Sequence, residues 1–242
     1  MIPERSDIQA VLDVTATGPD TFRAMSPKNG WRRVFGGQVI GQALVAANLT
    51  IAGRAVHSLH AYFMRPGDPA APIDYGVERL RDGSSFSTRR VVARQGEEAI
   101  FAMAASFHRE EAGLEHQIAM PAVPAPEHCL DEAALEARYA KGLPKSFGGY
   151  WRPDWPIEMR LVAPDSFFNR RAGQASQHCL WMRARAHLPD DQAIHRAVLA
   201  YASDYSLIDT ALVPHGRALF DPAIQIASLD HAMWFHRSFR AD

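Results

Sequence analysis

The stretch GGQVIGQALVAANLTIA, residues 36–52, decides the fold of this 242-residue chain. Almost all of its residues are apolar or small, it contains no proline, and Gly53 follows it as a common helix stop. Because the apolar residues lie on nearly all sides of a helical wheel, the stretch predicts a buried helix rather than a surface helix. We therefore expect this helix to lie inside the fold.

Several strand-like runs follow the predicted helix. They cover residues 57–64, 73–80, 85–94 and 99–108. The sequences Arg81-Asp82-Gly83 and Gln95-Gly96-Glu97 supply turn chemistry between the last three runs. The pattern therefore predicts consecutive antiparallel hairpins after a buried helix, which is an α+β arrangement.

The second half repeats this order of elements after a proline-punctuated linker. We predict strands at 157–162 and 178–187, a second long helix at 190–213, and a strand-like run at 224–236. The predicted domains are an N-terminal unit of residues 1–110, a linker of residues 111–156, and a C-terminal unit of residues 157–242.

A short internal match supports a duplication. The sequence Ser58-Leu59-His60-Ala61 follows the first helix, and Ser228-Leu229-Asp230-His231-Ala232 follows the second. One short match is a weak signal, but it coincides with the repeated order of elements. Under this alignment, His57 in the first half corresponds to Ser228 in the second.

Composition excludes several classes of function. The chain has 26 Lys and Arg against 27 Asp and Glu, a formal charge of −1, so it lacks the basic excess of nucleic-acid and acidic-membrane binders. No apolar run reaches the roughly 18 residues of a spanning helix, and the first residues do not resemble a signal peptide. We therefore predict no nucleic-acid or membrane partner. The chain has only two cysteines, Cys129 and Cys179, which suggests a reducing compartment, and we predict a cytoplasmic protein.

Asp204 is the residue of the second helix most suited to chemistry. On a helical wheel it lies in the middle of a stripe of apolar and small residues, which includes Ala197, Ala200 and Tyr201. Burial raises the pKa of a carboxyl group, as a general base working near neutral pH requires. The alternative is a buried aspartate that only accepts hydrogen bonds from backbone or hydroxyl groups.

Polar groups of the first helix offer candidate binding positions. Gln38 and Gln42 share one face and could bind a ligand carbonyl or amide, although such glutamines more often satisfy backbone groups. Gly36 and Gly37 begin the helix and could direct N–H groups at an anion or a thioester carbonyl, or could simply allow a tight helix entry.

The sequence shows no motif for a metal or an organic cofactor. His57 and His60 lie three residues apart in a strand-like run and so point to opposite faces. There is no His-Glu-x-x-His, Cys-x-x-Cys or calcium loop, and no nucleophile elbow, Walker loop or dinucleotide fingerprint. We therefore expect neither a metal ion nor a cofactor.

Several long motifs resemble the acyl-CoA thioesterase II (TesB-like) family. They are RVFGGQVIGQAL (33–44), HSLHAYFMRPGDP (57–69), RDGSSFSTRRV (81–91), residues 104–108 and 120–127, YASDYSLIDTAL (201–212) and SLDHAMWFHR (228–237). The resemblance implies a double hotdog fold, in which each half wraps an antiparallel sheet around one long helix. It also implies hydrolysis of fatty or related acyl-CoA to free acid and CoA without metal or cofactor.

The resemblance also implies catalytic residues. In the family an Asp, a Thr or Ser, and a Gln activate a water; the matching positions here are Asp204 and Ser228. The family's Gln lies on a strand after the motif that contains Ser228, and no glutamine of this chain is at a matching position. We therefore expect the second hotdog to be incomplete at its C-terminal end. A fragment, a strand from a partner chain and a loss of activity are the open explanations.

Other functions remain open at this point. Hotdog hydratases or dehydratases also bind acyl-CoA, and His57 is the only hint of that chemistry. A catalytically defective acyl-CoA-binding protein is the non-enzymatic alternative. In each case Gly37, Gln42 and His57 are candidate substrate-binding residues. Because hotdog sheets expose edges, we expect a homo-oligomer, either a dimer or a tetramer.

Overall fold

The computed structural model describes residues 7–27, 32–142, 155–173, 177–219, 221 and 223–242. The helices are α1 (Ile8–Leu12), α2 (Gly36–Asn48), α3 (Glu132–Tyr139), α4 (Pro164–Phe168), α5 (Gln192–Ser203) and α6 (Leu207–Leu212). The strands are β1 (Thr15–Gly18), β2 (Thr21–Ala24), β3 (Ala55–Phe63), β4 (Ile73–Asp82), β5 (Phe86–Gln95), β6 (Glu98–His108), β7 (Ile157–Leu161), β8 (Leu180–Ala184) and β9 (Asp230–Trp234).

The main sheet has seven antiparallel strands in the order β1-β2-β4-β5-β6-β3-β9. Strands β4, β5 and β6 form the predicted consecutive hairpins, with bounds within about two residues of those expected from the sequence. Gly96 has φ 57° in the turn between β5 and β6, a conformation that glycine adopts at low cost. The hairpin prediction is therefore confirmed.

Helix α2 packs against this sheet and forms the centre of its core. Ile40, Ala43 and Leu44 of the helix cluster with Leu59 and Phe101 of the strands, and all five are almost fully buried. Burying a side chain the size of leucine or phenylalanine stabilises a fold by about 1.5–3 kcal/mol. The prediction of a buried first helix is confirmed, although the helix ends at Asn48 rather than Ala52.

Strands of the two predicted repeats pair with each other. Strand β3 follows α2, and β9 lies after α5; the two strands are antiparallel, with Ala61 opposite His231 and Tyr62 opposite Asp230. A smaller sheet contains β7 and β8, which pair antiparallel from Ile157 opposite Ala184 to Leu161 opposite Leu180. The strands predicted at 57–64, 157–162 and 178–187 are therefore confirmed as β3, β7 and β8.

The prediction of one helix over residues 190–213 is wrong. Helix α5 ends at Ser203, Asp204 has φ −78° and ψ 1°, and α6 begins at Leu207. Tyr205 N donates to the Ala202 carbonyl in a tight turn between the two helices. The apolar pattern runs on through this break, so periodicity alone does not reveal it. The last predicted strand is also shorter, since β9 covers only Asp230–Trp234.

The described fold divides into two compact units. Of the described residues, one unit contains those within 7–112, 186–205 and 228–242, and the other contains those within 113–185 and 206–227. These units are not consecutive stretches, and the domain division 1–110, 111–156 and 157–242 remains a prediction. Within the described residues, no helix combines the length and apolar character needed to cross a bilayer.

Candidate active site

Glycines on α2 allow α5 to approach it closely. A β-carbon on Gly37 would collide with the carbonyl oxygen of Tyr201, and one on Gly41 would lie 3.3 Å from the carbonyl oxygen of Ala197. The absence of a side chain at these two positions lets the backbones of the two helices approach closely. As a result, the C-terminal end of α5 lies at the N-terminus of α2.

Asp204 lies at this junction, directly after the last residue of α5. Its Oδ1 accepts a hydrogen bond of 3.1 Å from Ser228 Oγ, and its carboxylate also accepts one from the backbone N–H of Gly37. Helix α2 has no side-chain cap from its own N-cap residue, Phe35. The Asp204 carboxylate therefore satisfies one of the N–H groups that an α-helix leaves free at its first turn.

The surroundings of Asp204 raise its pKa to about 6. Burial is the largest cause, because only 9% of the side chain is exposed and the charged form loses solvation. The hydrogen bonds from Ser228 and Gly37 favour the charged form and oppose this effect. The result is a carboxylate that is ionised at neutral pH yet basic enough to accept a proton there.

Aromatic side chains limit the space around the carboxylate. A β-carbon on Gly36 would lie 2.5 Å from Asp204 Oδ2 and 2.9 Å from the Phe63 ring. The rings of Phe35 and Tyr201 meet edge to face, with centroids 5.2 Å apart. Phe63 also fixes the segment that carries Ser228, since its N–H donates to the Leu229 carbonyl at 2.9 Å. The carboxylate and the hydroxyl thus share a partly apolar setting.

The structure brings together three of the predicted site residues: Asp204, Ser228 and Gly37. The N–H of Gly37 is directed at Asp204. Two glycines open the helix because a β-carbon on Gly36 would collide with Asp204 and one on Gly37 would collide with the carbonyl oxygen of Tyr201. A tight helix entry and an anion-directed N–H group were the two alternatives for this glycine pair. Both apply, because the anion at the helix terminus is a carboxylate of the same chain.

Gln42 lies away from these residues, inside the core. It is fully buried; its Nε2 donates to the Val11 carbonyl at 2.6 Å, and its Oε1 accepts from Tyr75 Oη at 2.7 Å. Gln38 is also buried and donates to Ser26 Oγ at 3.1 Å. These contacts favour the interpretation that both glutamines satisfy internal polar groups, and we do not retain Gln42 as a substrate-binding candidate.

His57 lies at the other end of β3 from the Ser228 segment. The His57 carbonyl accepts a hydrogen bond from Phe235 N at 2.8 Å, near the start of β3. Phe63, at the end of β3, donates to the carbonyl of Leu229, the residue that follows Ser228. The ring Nε2 of His57 lies 2.8 Å from Ser106 Oγ, and the ring packs edge to face against Phe86. The structure therefore does not bring His57 to Asp204.

Sequence reasoning missed His231, which lies beside Asp204. Its Nδ1 is 3.8 Å from Asp204 Oδ1, and its Nε2 is 3.0 Å from Ser203 Oγ. Its side chain is only 3% exposed. The available signal was its place on the predicted last strand, where it alternates with the polar Asp230 and would face the core. Among the described residues, no group of three or more His, Cys, Asp or Glu side chains could hold a metal ion.

Comparison with known proteins identifies the fold. A protein with a hot dog fold from Alicyclobacillus acidocaldarius aligns with a TM-score of 0.68 over 95% of this chain and 78% of its own, at 18% identity. At that identity the likeness concerns the fold alone. Together with the antiparallel sheet packed on α2, it shows that this chain is an α+β protein of the hotdog class.

Two closer relatives and two family models define the family. The chain is 42% identical to acyl-coenzyme A thioesterase 8 of Mus musculus, over 97% of this chain and 76% of that protein. It is 40% identical to an acyl-CoA thioesterase II, TesB2, from Mycobacterium marinum, with a TM-score of 0.75 over 97% of this chain and 82% of the other. The model of the acyl-CoA thioesterase N-terminal domain matches residues 26–108, and the acyl-CoA thioesterase model matches residues 152–242. The chain belongs to the acyl-CoA thioesterase family, which confirms the predicted TesB-like resemblance and the α+β hotdog fold. A double hotdog is consistent with these relatives, and the incompleteness of its second half stays a prediction.

Proposed function

We propose that this protein hydrolyses fatty or related acyl-CoA thioesters to free acid and CoA, with Asp204 as the general base and Ser228 as the residue that holds the attacking water beside it. The observation that carries the assignment of residues is the hydrogen bond of 3.1 Å between Ser228 Oγ and Asp204 Oδ1. It places a hydroxyl and a basic carboxylate within reach of one water molecule. The names of the relatives support the thioesterase activity itself.

The reaction follows from this geometry. The water oxygen attacks the thioester carbonyl carbon while Asp204 accepts one of its protons, which gives a tetrahedral intermediate. Collapse of the intermediate breaks the carbon–sulfur bond, and the proton held by Asp204 passes to the departing CoA thiolate. Asp204 is ionised again at the end, so atoms and charge balance over the cycle. A pKa of about 6 suits both the uptake and the release of this proton near neutral pH.

Only two catalytic residues are proposed. The third residue implied by the family resemblance, a Gln, is assigned to no position of this sequence. The position of His57 gives no support to a hydratase or dehydratase, because its ring contacts Ser106 and Phe86 and not Asp204. The remaining alternative is a protein that binds acyl-CoA without hydrolysing it, and a measurement of thiol release distinguishes the two.

The test measures release of the CoA thiol from acyl-CoA by the purified protein and its Asp204→Asn variant. We expect turnover by the wild type and a loss of about a hundredfold or more in kcat for Asp204→Asn, since a general base contributes about 10²–10⁴-fold. Asp74→Asn is the matched control, because it removes the same charge from an exposed carboxylate that pairs with Arg23. Tight acyl-CoA binding without thiol release by the wild type would support the binding protein, and normal turnover by a folded Asp204→Asn would refute the role of Asp204.

Assembly and location are also proposals. We propose a homo-oligomer, a dimer or a tetramer, because β1 and β9 end the seven-stranded sheet among the described residues and edge strands tend to pair. Light scattering on the purified protein measures its mass, and a monomeric mass would contradict this. We propose a cytoplasmic location because Cys129 and Cys179 both carry free thiols, as is usual in a reducing compartment.

A further inference from the structure

Phe63 is the last residue of β3 on the face that packs against α2. Leu59 and Ala61 precede it on that face and are almost fully buried, since side chains alternate along a strand. Phe63 lies opposite Phe101 of β6 in the sheet, and the centroids of the two rings are 5.2 Å apart. Because Phe101 is fully buried, the core supports the Phe63 ring from that side.

The edge of the Phe63 ring and the carboxylate of Asp204 meet over Gly36. A β-carbon on Gly36 would lie 2.9 Å from the ring atoms Cε1 and Cζ and 2.5 Å from Asp204 Oδ2. Both ring atoms belong to the edge of the ring, where the hydrogens carry partial positive charge. The ring can therefore lie beside a carboxylate without repelling it, and it occupies space from which water would otherwise solvate Oδ2.

The main chain of Phe63 is connected to the segment that carries Ser228. Its N–H donates to the carbonyl of Leu229, the residue after Ser228, at 2.9 Å. The Ser228 hydroxyl in turn donates to Asp204 Oδ1 at 3.1 Å. One residue at the end of β3 thus contacts Asp204 with its ring and holds the Ser228 segment with its backbone.

Burial explains why Asp204 is more basic than an ordinary aspartate. It is the largest cause of the raised pKa, and the hydrogen bonds from Ser228 and Gly37 act in the opposite direction. Among the described residues, no charged side chain contributes to the shift. The basicity of Asp204 therefore depends on the groups that keep water away from its carboxylate.

We propose that Phe63 is a positioning residue, whose ring keeps water from one side of the Asp204 carboxylate while its main chain holds the Ser228 segment on the other. The inference rests on the proposed function, in which Asp204 is the general base. Phe63 exchanges no proton and acts through Asp204. A carboxylate shielded in this way accepts a proton from the attacking water more readily than a solvated one.

The test measures thiol release from acyl-CoA by Phe63→Ala as a function of pH. Opening one side of the carboxylate to water lowers the pKa of Asp204 from about 6 toward 3.8, so the acid limb of kcat/KM moves to lower pH by about half a unit or more. At pH 8, where the base is ionised in both proteins, kcat falls about threefold or more because the base is weaker. Phe63→Leu keeps most of the apolar bulk and shifts the limb less.

The direction of the shift separates this role from a merely structural one. A ring that only filled space would leave the limb in place when removed. If its loss instead loosened the hydrogen bond from Ser228, the pKa of Asp204 would rise and the limb would move to higher pH. Carbon-13 NMR titration of the Asp204 carboxyl measures the same shift without turnover.

The other titratable groups near Asp204 do not obscure this readout. They are His231 and Asp230 on β9 and the phenols of Tyr201 and Tyr205 in the same stretch of chain. His231 Nδ1 lies 3.8 Å from Asp204 Oδ1, and burial lowers the pKa of His231 from 6.5. Burial raises the pKa of Tyr201. Since Phe63→Ala changes none of these side chains, the wild type and the variant share their contributions.

Phe86→Ala is the matched control for the loss of a ring. Phe86 is 42% exposed and lies opposite His108, at the other end of β6 from Phe101. We expect its acid limb to coincide with that of the wild type. Thermal unfolding checks that each variant is folded. Should Phe63→Ala not fold, Phe63→Val opens part of the same space, suits the end of a strand, and must still move the limb to lower pH.

An acid limb that stays in place or moves to higher pH in folded Phe63→Ala, or in Phe63→Val where the alanine variant does not fold, would overturn the inference. Asp204→Asn is assayed in parallel to separate the two proposals. If Asp204→Asn turns over normally, the proposed function fails. If it is inactive and the limb of the Phe63 variant does not move to lower pH, only the role of Phe63 fails.

Discussion

Gly36 leaves no room for a β-carbon beside Asp204, because such an atom would lie 2.5 Å from Oδ2. The Phe63 ring would be 2.9 Å away on another side. A methyl group at this position must therefore displace both the aromatic ring and the carboxylate. The presence of glycine at position 36, the first residue of α2, is therefore explained by its contact with Asp204, which follows α5.

Gly36→Ala is expected to lower kcat about tenfold or more with a smaller effect on stability, since it displaces the carboxylate and leaves the core in place. Thiol release and thermal unfolding together measure the two effects. Gly76→Ala is the matched control, because nothing lies within 4 Å of its β-carbon position. Full activity of Gly36→Ala would mean that the site tolerates a shifted carboxylate.

Ser228→Ala is expected to lower activity and to move the acid limb of kcat/KM to higher pH. The Ser228 hydroxyl lowers the pKa of Asp204 by donating to it, so its removal raises that pKa above about 6 and the base is protonated over a wider range. Ser228→Thr keeps the hydroxyl and serves as the control, with a profile close to that of the wild type. An unchanged acid limb in Ser228→Ala would contradict the role of the hydrogen bond.

Asp204→Asn is expected to stabilise the fold at neutral pH while it lowers kcat by about a hundredfold or more. A carboxyl group whose pKa rises from 3.8 to about 6 on folding binds its proton more tightly in the folded state, so stability falls as pH rises between these values. Above pH 6 the penalty is complete, at roughly 3 kcal/mol, and below pH 3.8 it is absent. Denaturant unfolding at pH 7.5 and at low pH measures it; a variant less stable than the wild type at pH 7.5 would refute the prediction.

Arg170→Met is expected to destabilise the unit that contains Gly113–Arg185 and Ser206–Ala227. Arg170 Nη2 lies 2.7 Å from Asp209 Oδ1, and the two side chains are only 5% and 4% exposed. Removing one partner of a buried ion pair costs about 3–5 kcal/mol, whereas replacing both by apolar residues often costs little. The double variant Arg170→Met/Asp209→Leu should therefore regain most of the loss in denaturant unfolding. A double variant no more stable than Arg170→Met would contradict this expectation.

Much of the fold could be predicted from local patterns. The apolar stretch at Gly36–Asn48 and the alternating strands β4, β5 and β6 follow directly from periodicity, because each lies in one continuous element with a constant environment. The break between α5 and α6 could not, since Leu207 continues the apolar pattern beyond Asp204. At the break, the Asp204 carboxylate accepts a hydrogen bond from the Gly37 N–H, a tertiary contact that the local pattern does not show.

The candidate site was predicted only in part, because a local pattern shows the direction of a side chain but not its partners from distant segments. A wheel drawn for one continuous helix pointed Asp204 toward the core, and the direction holds because the residue lies only one position beyond Ser203. His231 was missed because its place in the site follows from its contacts with Ser203 and Asp204, which are distant from it in sequence. Gln42 has an amide that could bind a ligand, but this amide forms hydrogen bonds with the Val11 carbonyl and the Tyr75 hydroxyl. No local sequence pattern shows which buried polar groups need such a partner.

The pairing of β3 with β9 has a consequence for biosynthesis. Strand β3 leaves the ribosome early and β9 late, and the sheet joins residues that are far apart in the chain. Contacts of such high sequence separation form slowly, because a long loop must close first. The sheet of β4, β5 and β6 can assemble while translation continues, but Ser228 and His231 reach Asp204 only after β9 is made. Under the proposed mechanism, the nascent protein therefore gains activity only after β9 has been synthesised.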